Sequence, residues 1–186
     1  AYPAVPLLEA QRADNLQLPT RESNPRTIEF ARALRTDHPD DADFVRAVLQ
    51  FLRTEPFFYT LAPPLLQGPD SVDAFLFDSR RGFCEHYASS FVVLARAAGI
   101  PARVVTGYQG GELNPTGGYL IVRQSDAHAW AEVLIGGQWR RVDPTAAVAP
   151  SRIERGLGGA LPSSEFVPLL ARLDQSFLKD LQLSWD

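Results

Sequence analysis

Apolar residues recur at helical spacing in four segments of the chain, and the first three segments stop at a proline or a glycine. In the most regular segment, Phe44, Val48 and Leu52 stand at i, i+4 and i+8, which predicts an amphipathic helix with one buried face. Thr27 is the predicted N-cap of the helix that ends near His38. Gly99 is the predicted C-terminal cap of the helix that begins at Cys84. The predicted helices cover 27–38, 41–55, 84–98 and 166–181.

Apolar and polar residues alternate between residues 102 and 142, which predicts β-strands. The Gly136-Gly137 pair is typical of a tight hairpin and joins the last two strands. Because helices come first and strands then follow one another, the predicted fold class is α+β, with an antiparallel meander behind the helix that begins at Cys84. The predicted strands are 102–108, 119–123, 127–135 and 138–142, with a polar loop at 110–118.

The composition fits a folded protein that binds neither nucleic acids nor nucleotides. Hydrophobic residues make up 45% and charged residues 22% of the 186 positions, which is enough apolar material for a core. The formal net charge of −4 disfavours binding to phosphate backbones. No glycine-rich phosphate loop follows a strand, and no apolar run approaches the roughly 18 residues that cross a bilayer.

The chain has one cysteine, Cys84, which excludes an intramolecular disulfide and a cysteine-based zinc site. The one dense acidic run, at 37–43, also begins a helix, so capping is a better interpretation than calcium binding. We therefore expect no metal and no cofactor. Only Lys179 among the 18 basic residues is a lysine, so the chain offers few amine groups as acyl acceptors.

Cys84 stands where a helix start favours a reactive thiol. Gly82 lets the backbone turn just before the helix, and Cys84 then falls in the first turn, where unpaired N–H groups and the helix dipole favour negative charge. Arg80 and Arg81 add positive charge nearby. Such surroundings lower a thiol pKa from about 8.5 to roughly 3.5–7.5 and make it a nucleophile. The alternative is a small, buried and inert cysteine.

His128 is the best candidate for a base that activates the thiol. It lies in an alternating strand, and if Ile135 faces Gln138 across the hairpin, then Trp130 faces Asp143. His128 shares a face with Trp130, so Asp143 becomes its diagonal neighbour, about 7–8 Å away between Cα atoms. The pattern therefore predicts a His–carboxylate pair, although a half-buried strand histidine and a turn-forming aspartate remain the ordinary alternatives.

The other two histidines are weaker candidates. His86 lies two residues after Cys84 on the same helix, so the two side chains point in different directions, and we expect His86 to orient the helix start. His38 precedes a proline at a helix end and is expected at the surface. Periodicity cannot establish the distance between Cys84 and His128, which are far apart in the sequence.

Four blocks of sequence together resemble the core of the transglutaminase-like superfamily. A wider stretch, 59–149, is similar to a branch of bacterial membrane proteins within that superfamily. The four blocks are Gly82-Phe-Cys-Glu-His-Tyr-Ala88, Ala98-Gly-Ile-Pro-Ala-Arg103, Asp126-Ala-His-Ala-Trp-Ala-Glu-Val133 and Val142-Asp-Pro-Thr145.

The resemblance implies a papain-like fold with a Cys-His-Asp triad. In that triad Cys84 is the nucleophile, His128 the base and Asp143 the orienting carboxylate. It also implies a periplasmic domain of a bacterial inner-membrane protein, attached to the membrane only through segments outside this sequence. The expected organisation is an extended lead-in at 1–24, a catalytic domain at 25–150, and a linker with a C-terminal helix at 151–186.

Three functions remain open on this basis. The first is acyl transfer, in which a Gln-like amide forms a cysteine thioester that an amine or water then attacks. The second is hydrolysis of a peptide or cell-wall amide by the same triad, and the third is a binding module without catalysis. The expected partner is a protein or peptide with an amide donor, or cell-envelope material, and not a nucleic acid; the oligomeric state is left open.

Overall fold

The computed structural model of the chain describes residues 9–19 and 23–151. They form helices followed by antiparallel strands, which confirms the α+β class. The helices are α1 (Glu9–Asp14), α2 (Pro25–Asp37), α3 (Asp41–Thr54), α4 (Ser71–Asp73), which continues into a π-helical turn (Ala74–Ser79), α5 (Cys84–Ala97) and α6 (Thr145–Val148). The strands are β1 (Phe58–Tyr59), β2 (Arg81–Gly82), β3 (Ala102–Tyr108), β4 (Glu112–Asn114), β5 (Tyr119–Ile121), β6 (Ala127–Ile135) and β7 (Gln138–Val142).

Helix α5 is the centre of the core. Its predicted apolar face is confirmed, since Tyr87 and Leu94 are 0% exposed and Phe91 is 1% exposed. The ring of Tyr87 lies 5.1 Å from that of Phe75 and 6.1 Å from that of Phe57, both edge-to-face. Each such aromatic pair adds about 0.5–1.5 kcal/mol beyond the burial of its area, so the aromatic cluster holds α5 firmly.

Strand β6 packs against α5 through short side chains. Ala129, Ala131 and Val133 alternate along the strand and are at most 4% exposed. Because these side chains are small, the helix approaches the sheet closely and leaves little void. A helical half, α2 to α5, and a sheet half, β3 with β6 and β7, therefore meet along α5 and β6.

The main sheet has the strand order β3-β6-β7, and both pairs are antiparallel. Ile135 pairs with Gln138, and Ala131 with Val142, which confirms the register predicted from the glycine pair. Gly136 and Gly137 have φ angles of 60° and 75°, the left-handed conformation that a tight two-residue hairpin requires.

The predicted meander is wrong at its second strand. The segment expected as strand 119–123 forms only β5, which pairs with β4 from the expected loop in a separate hairpin, while β3 pairs directly with β6. Leu113 and Leu120 face each other across that hairpin and are 65% and 59% exposed. An alternating pattern alone does not distinguish such an exposed hairpin from a strand of the main sheet.

The sequence had indicated Thr27 as the N-cap of α2, but the structure places Thr27 inside the helix. The helix begins at Pro25, preceded by Asn24 in the left-handed conformation. Thr27 is buried and donates its hydroxyl to Asp73 of α4, and Asp73 also accepts the backbone N–H groups of Arg26 and Thr27. A carboxylate from a distant segment thus caps α2, which local sequence rules do not reveal.

The lead-in expected to be extended over 1–24 instead contains the helix α1. No residue of α1 is buried, but Glu9 stands in its first turn and Arg12 in its last. These charges interact favourably with the helix dipole. A search for apolar periodicity misses this local stabilisation. The predicted linker at 156–164 and the predicted helix at 166–181 lie outside the described residues, and the expected domain division stays a prediction.

Candidate active site

Cys84 begins α5 directly after the short strand β2, which pairs in parallel with β1. Only glycine fits at position 82, because a Cβ there would lie 2.7 Å from the Cβ of His86 and 2.7 Å from the ring of Phe75. Gly82 lies in β2 and not in the turn expected from the sequence, and the pairing of β2 with β1 fixes the backbone just before the helix. Cys84 therefore lies in the first helical turn, as predicted, and is half-buried.

His86 orients the start of α5, which confirms the role expected from its spacing. The backbone N–H of Phe83 donates to Nδ1 of His86, 3.4 Å away. Burial lowers the pKa of His86, although the charge of Glu85 and the backbone of Phe83 act in the opposite direction. His86 is therefore neutral near pH 7, which keeps Nδ1 available as an acceptor.

His128 and Asp143 form the pair predicted from the hairpin register. Nε2 of His128 lies 2.8 Å from Oδ2 of Asp143, within hydrogen-bond distance. Oδ1 of Asp143 accepts the backbone N–H of Thr145 at 3.2 Å. The His128 side chain is fully buried, whereas that of Asp143 is 13% exposed, so the carboxylate fixes an imidazole that solvent does not reach.

The pKa of His128 is raised above its usual value although the ring is buried. Burial alone would lower this pKa, but the hydrogen bond with Asp143 and the interaction with the Cys84 side chain outweigh it. Nε2 is held by Asp143, and Nδ1 is buried without a nitrogen or oxygen partner among the described residues. Nδ1 thus remains for the interaction with Cys84, so the structure brings together all three residues singled out from the sequence.

A cleft of about 700 Å³ leads to these residues. Cys84 and His128 lie in its wall, and apolar groups dominate the rest of the lining. A volume of this size accommodates a peptide side chain with its neighbouring backbone. The lining residues are Tyr59, Leu61, Phe83, Cys84, Glu85, His86, Ser89, Val104, Thr106, Gly107, Gln124, Ser125, Ala127, His128 and Ala129.

Trp130 and Arg141 cover the His–carboxylate pair from the side of the sheet. The Trp130 ring stacks beside that of His128 with centroids 6.3 Å apart, and the guanidinium of Arg141 lies 4.2 Å from the Trp130 ring. Nη2 of Arg141 is 3.7 Å from Oδ2 of Asp143. Gly107 leaves room for Trp130, because a Cβ there would lie 2.8 Å from the indole. The hairpin register contained the signal for Arg141, but sequence reasoning missed it.

The side chains of the two arginines before Cys84 contact groups outside the cleft. Nη1 of Arg80 forms a 2.6 Å ion pair with Glu55, and its backbone is left-handed, with φ at 52°. The guanidinium of Arg81 lies over the ring of Phe58. Neither arginine lines the cleft.

Two negative findings concern the part of the chain that the structure describes. Within residues 9–19 and 23–151, no three or more His, Cys, Asp or Glu side chains are grouped so that they could hold a metal ion. In the same ranges, no helix has both the length and the apolar character needed to cross a bilayer. The expected absence of a metal stays a prediction.

Comparison with known sequences connects this geometry to a family. The family model for the transglutaminase-like superfamily matches residues 28–144. The chain is 53% identical over 180 residues to a protein-glutamine gamma-glutamyltransferase of Pseudomonas aeruginosa, a match covering 92% of this chain and 26% of that protein. It is 38% identical over 138 residues to the uncharacterized protein YebA of Bacillus subtilis, covering 70% of this chain and 18% of YebA. The chain thus spans about a quarter or less of these relatives.

Solved structures give the same result. The periplasmic domain of TgpA from Pseudomonas aeruginosa has a TM-score of 0.79 and 54% identity, covering 83% of this chain and 54% of that one. A protein from Cytophaga hutchinsonii is 24% identical with a TM-score of 0.53, and the match covers 77% of this chain and 45% of that one. At this identity the match shows the shared fold alone. The match to a periplasmic domain confirms the expected location. The family model, the identity to these relatives and the shared fold show that the chain belongs to the transglutaminase-like superfamily.

Proposed function

We propose that the chain is the catalytic domain of an acyltransferase, with Cys84 as nucleophile, His128 as general base and acid, and Asp143 as the residue that orients His128. The observation that carries the proposal is the geometry of His128. One ring nitrogen is held 2.8 Å from Asp143, and the other is buried and left for the thiol. A Cys–His–carboxylate arrangement of this kind supports nucleophilic catalysis at a carbonyl.

The resting state would be an ion pair between the Cys84 thiolate and the protonated His128. The raised pKa of His128, caused in part by Cys84 itself, supports such a state. The attraction is mutual, so a proton on the imidazole favours the thiolate. Asp143 holds the ring in place and stabilises its charge.

The reaction would proceed in two halves through a thioester. The thiolate of Cys84 attacks the carboxamide of a glutamine side chain, and the backbone N–H of Cys84 at the helix start helps to hold the oxyanion. His128 then gives its proton to the departing ammonia, leaving a γ-glutamyl thioester. In the second half His128 accepts a proton from the incoming amine, which attacks the thioester and releases the thiolate.

An amine acceptor fits the cleft better than water does. The walls of the cleft are mostly apolar, with Leu61, Phe83 and Val104 among them, and they suit the methylene chain of a lysine-type amine. Hydrolysis would use the same thioester, with water in place of the amine. The name of the Pseudomonas relative, a protein-glutamine gamma-glutamyltransferase, also favours a protein-bound glutamine as donor. The donor in the cell, including cell-envelope material, and the activity of any longer protein are part of this proposal.

The test is incorporation of a labelled amine into a glutamine-containing protein. Dimethylcasein, whose lysines are blocked, serves as donor and biotin-labelled cadaverine as acceptor, and ammonia is measured in parallel. We expect incorporation by the parent chain and none by Cys84→Ala. His128→Gln should be inactive, whereas His38→Gln, the matched control at a helix end outside the cleft, should match the parent.

The same assay separates the remaining functions. Equal release of ammonia and incorporation of amine supports transfer. Ammonia without incorporation would mean hydrolysis of the glutamine amide, and new peptide N-termini would mean a peptidase. A parent chain that produces none of these products, in a folded state, would contradict the proposed activity.

A further inference from the structure

Within residues 9–19 and 23–151, strand β3 forms an edge of the main sheet, because only its β6 side is paired. The orientation of its backbone follows from the bonds at the two ends of the strand. Gln109 donates its N–H to Asp126, and Pro101 accepts the N–H of Leu134, so odd-numbered residues face β6. The backbone groups of residues 102, 104, 106 and 108 therefore point away from the sheet, since the direction alternates along a strand.

The first of these outward positions already binds another segment of the chain. Ala102 donates its N–H to the carbonyl of Asn15 at 3.0 Å, and its own carbonyl accepts Nε of Arg96 at 2.8 Å. The residues just after α1 thus contact this edge through the main chain. This contact shows that an outward N–H of the edge can donate to a main-chain carbonyl of another segment.

The next three outward positions have no such partner in the part of the chain that the structure describes. Val104 and Tyr108 are 42% and 54% exposed, and Thr106 is also exposed. Among residues 9–19 and 23–151, no hydrogen bond reaches the backbone N–H or C=O of these three outward residues. Proteins usually protect an edge of this length with a proline, a lysine or a bulge, and none of these occurs at the three positions.

The unpaired edge is also a wall of the catalytic cleft. Val104, Thr106 and Gly107 line the same cavity as Cys84 and His128, and Gly107 is the register partner of His128. A polypeptide lying along this edge would therefore run beside the catalytic thiol.

We propose that the acyl donor binds as an extended strand added to the outer edge of β3, so that its glutamine side chain reaches Cys84. This inference rests on the proposed function. The three outward residues offer three donors and three acceptors over about 14 Å, the length of roughly five donor residues. Recognition through the main chain requires a donor segment that is extended and outside regular structure, and it tolerates many sequences around the glutamine.

The first experiment removes one outward N–H without touching the β3–β6 ladder. Thr106→Pro does this, because a proline at an outward edge position leaves the inward hydrogen bonds intact, and Thr106→Val is the matched control that keeps the N–H. Both are made in a Cys84→Ser background, and binding of fluorescein-labelled dimethylcasein is followed by anisotropy. We expect Thr106→Pro to bind about tenfold more weakly, because one main-chain bond is lost and the ring blocks the strand position, and Thr106→Val to bind like Cys84→Ser alone. Equal binding by all three proteins would overturn the proposal.

The second experiment needs no substitution on the edge. In the Cys84→Ser protein, the amides of Val104, Thr106 and Tyr108 should exchange hydrogen quickly, and the amide of Val105, which faces β6, slowly. Addition of dimethylcasein should slow the three outward amides by at least about tenfold and leave Val105 unchanged. Outward amides that stay fast would overturn the proposal. Outward amides that are already slow in the free protein would also overturn it, because the chain itself or a second copy would then cover the edge.

These measurements separate the docking proposal from the proposed function. Both use a protein that cannot form the thioester, so binding is read without chemistry. Amine incorporation by the parent together with unchanged binding by Thr106→Pro would remove the docking proposal and keep the acyltransferase. Edge protection by dimethylcasein in a chain that incorporates no amine would keep the docking of an extended polypeptide and remove the acyltransferase.

Discussion

Replacing Asp143 by asparagine tests the orientation of His128 without changing the shape of the site. The two carboxylate oxygens have different partners, since Oδ2 faces Nε2 of His128 at 2.8 Å and Oδ1 accepts the N–H of Thr145 at 3.2 Å. An asparagine has only one oxygen, so it must present its NH2 group to one of these two donors. The guanidinium of Arg141, 3.7 Å from Oδ2, favours the oxygen on the His128 side. The His128 tautomer is then preserved, and the NH2 group opposes the N–H of Thr145.

The expected loss of kcat in Asp143→Asn follows from the two interactions that change. A hydrogen bond to a charged group contributes about 1.5–3 kcal/mol and a neutral one about 0.5–1.5 kcal/mol, so the imidazolium loses about 1–2 kcal/mol. The unpaired N–H of Thr145 costs roughly another 1–2 kcal/mol, part of which falls on the geometry of the site. The loss of transition-state stabilisation therefore lies between the first contribution alone and the sum of both, about 1–4 kcal/mol, or roughly 5- to 1,000-fold in kcat. This overlaps the loss of roughly 10²–10⁴ that is expected by analogy when the carboxylate of a catalytic triad is replaced by an amide.

The assay is amine incorporation into dimethylcasein at saturating donor. Asp78→Asn is the control, because Asp78 is an exposed carboxylate paired with Arg26 outside the cleft, and it should leave kcat unchanged. Circular dichroism and the melting temperature establish that Asp143→Asn is folded. A folded Asp143→Asn chain with kcat within threefold of the parent would remove Asp143 from the mechanism.

Three further predictions concern the proton on His128, the packing of Trp130 and the supply of amines. Because the folded chain raises the pKa of His128, its stabilisation is complete below the unfolded value of about 6.5 and is lost as pH rises through the folded pKa. The melting temperature of the parent minus that of His128→Gln should therefore shrink as the pH rises above about 6.5, and a constant difference would contradict this. Gly107→Ala places a Cβ 2.8 Å from Trp130 and should lower the free energy of unfolding in urea by about 1–3 kcal/mol. An unchanged urea concentration at the midpoint of unfolding would show that the indole moves without a cost in free energy. Thr116→Lys, at an exposed turn, should produce cross-linked ladders on denaturing gels, while the parent, with Lys179 alone, should form few; equal ladders in both would refute a limit set by acceptor supply.

The hairpin that carries His128 was predictable because its determinants are local. Strict alternation fixes which side chains share a face, and a glycine pair fixes which residues oppose each other. The diagonal contact of His128 with Asp143 follows from those two facts alone. The helix start at Cys84 was predictable for the same reason, from a glycine and an apolar face.

The features that sequence reasoning missed depend on residues far apart in the chain. The cap of α2 comes from Asp73, beyond the next helix, and the ion pair that draws Arg80 away from the thiol comes from Glu55. The distance between Cys84 and His128 depends on how α5 packs on β6, which no periodicity encodes. Only the resemblance to a family connected these two residues before the fold was known.

The position of the candidate site on the boundary between the two halves has a consequence for partly folded chains. Cys84 belongs to the helical half, whereas His128 and Asp143 belong to the sheet half, and the two halves meet where α5 packs on β6 and β3. A molten globule that keeps its helices and strands but loses this packing would carry a thiol without a base. On the proposed function, turnover is then a more sensitive indicator of tertiary order than circular dichroism, and a misassembled chain is unable to acylate itself or the proteins around it.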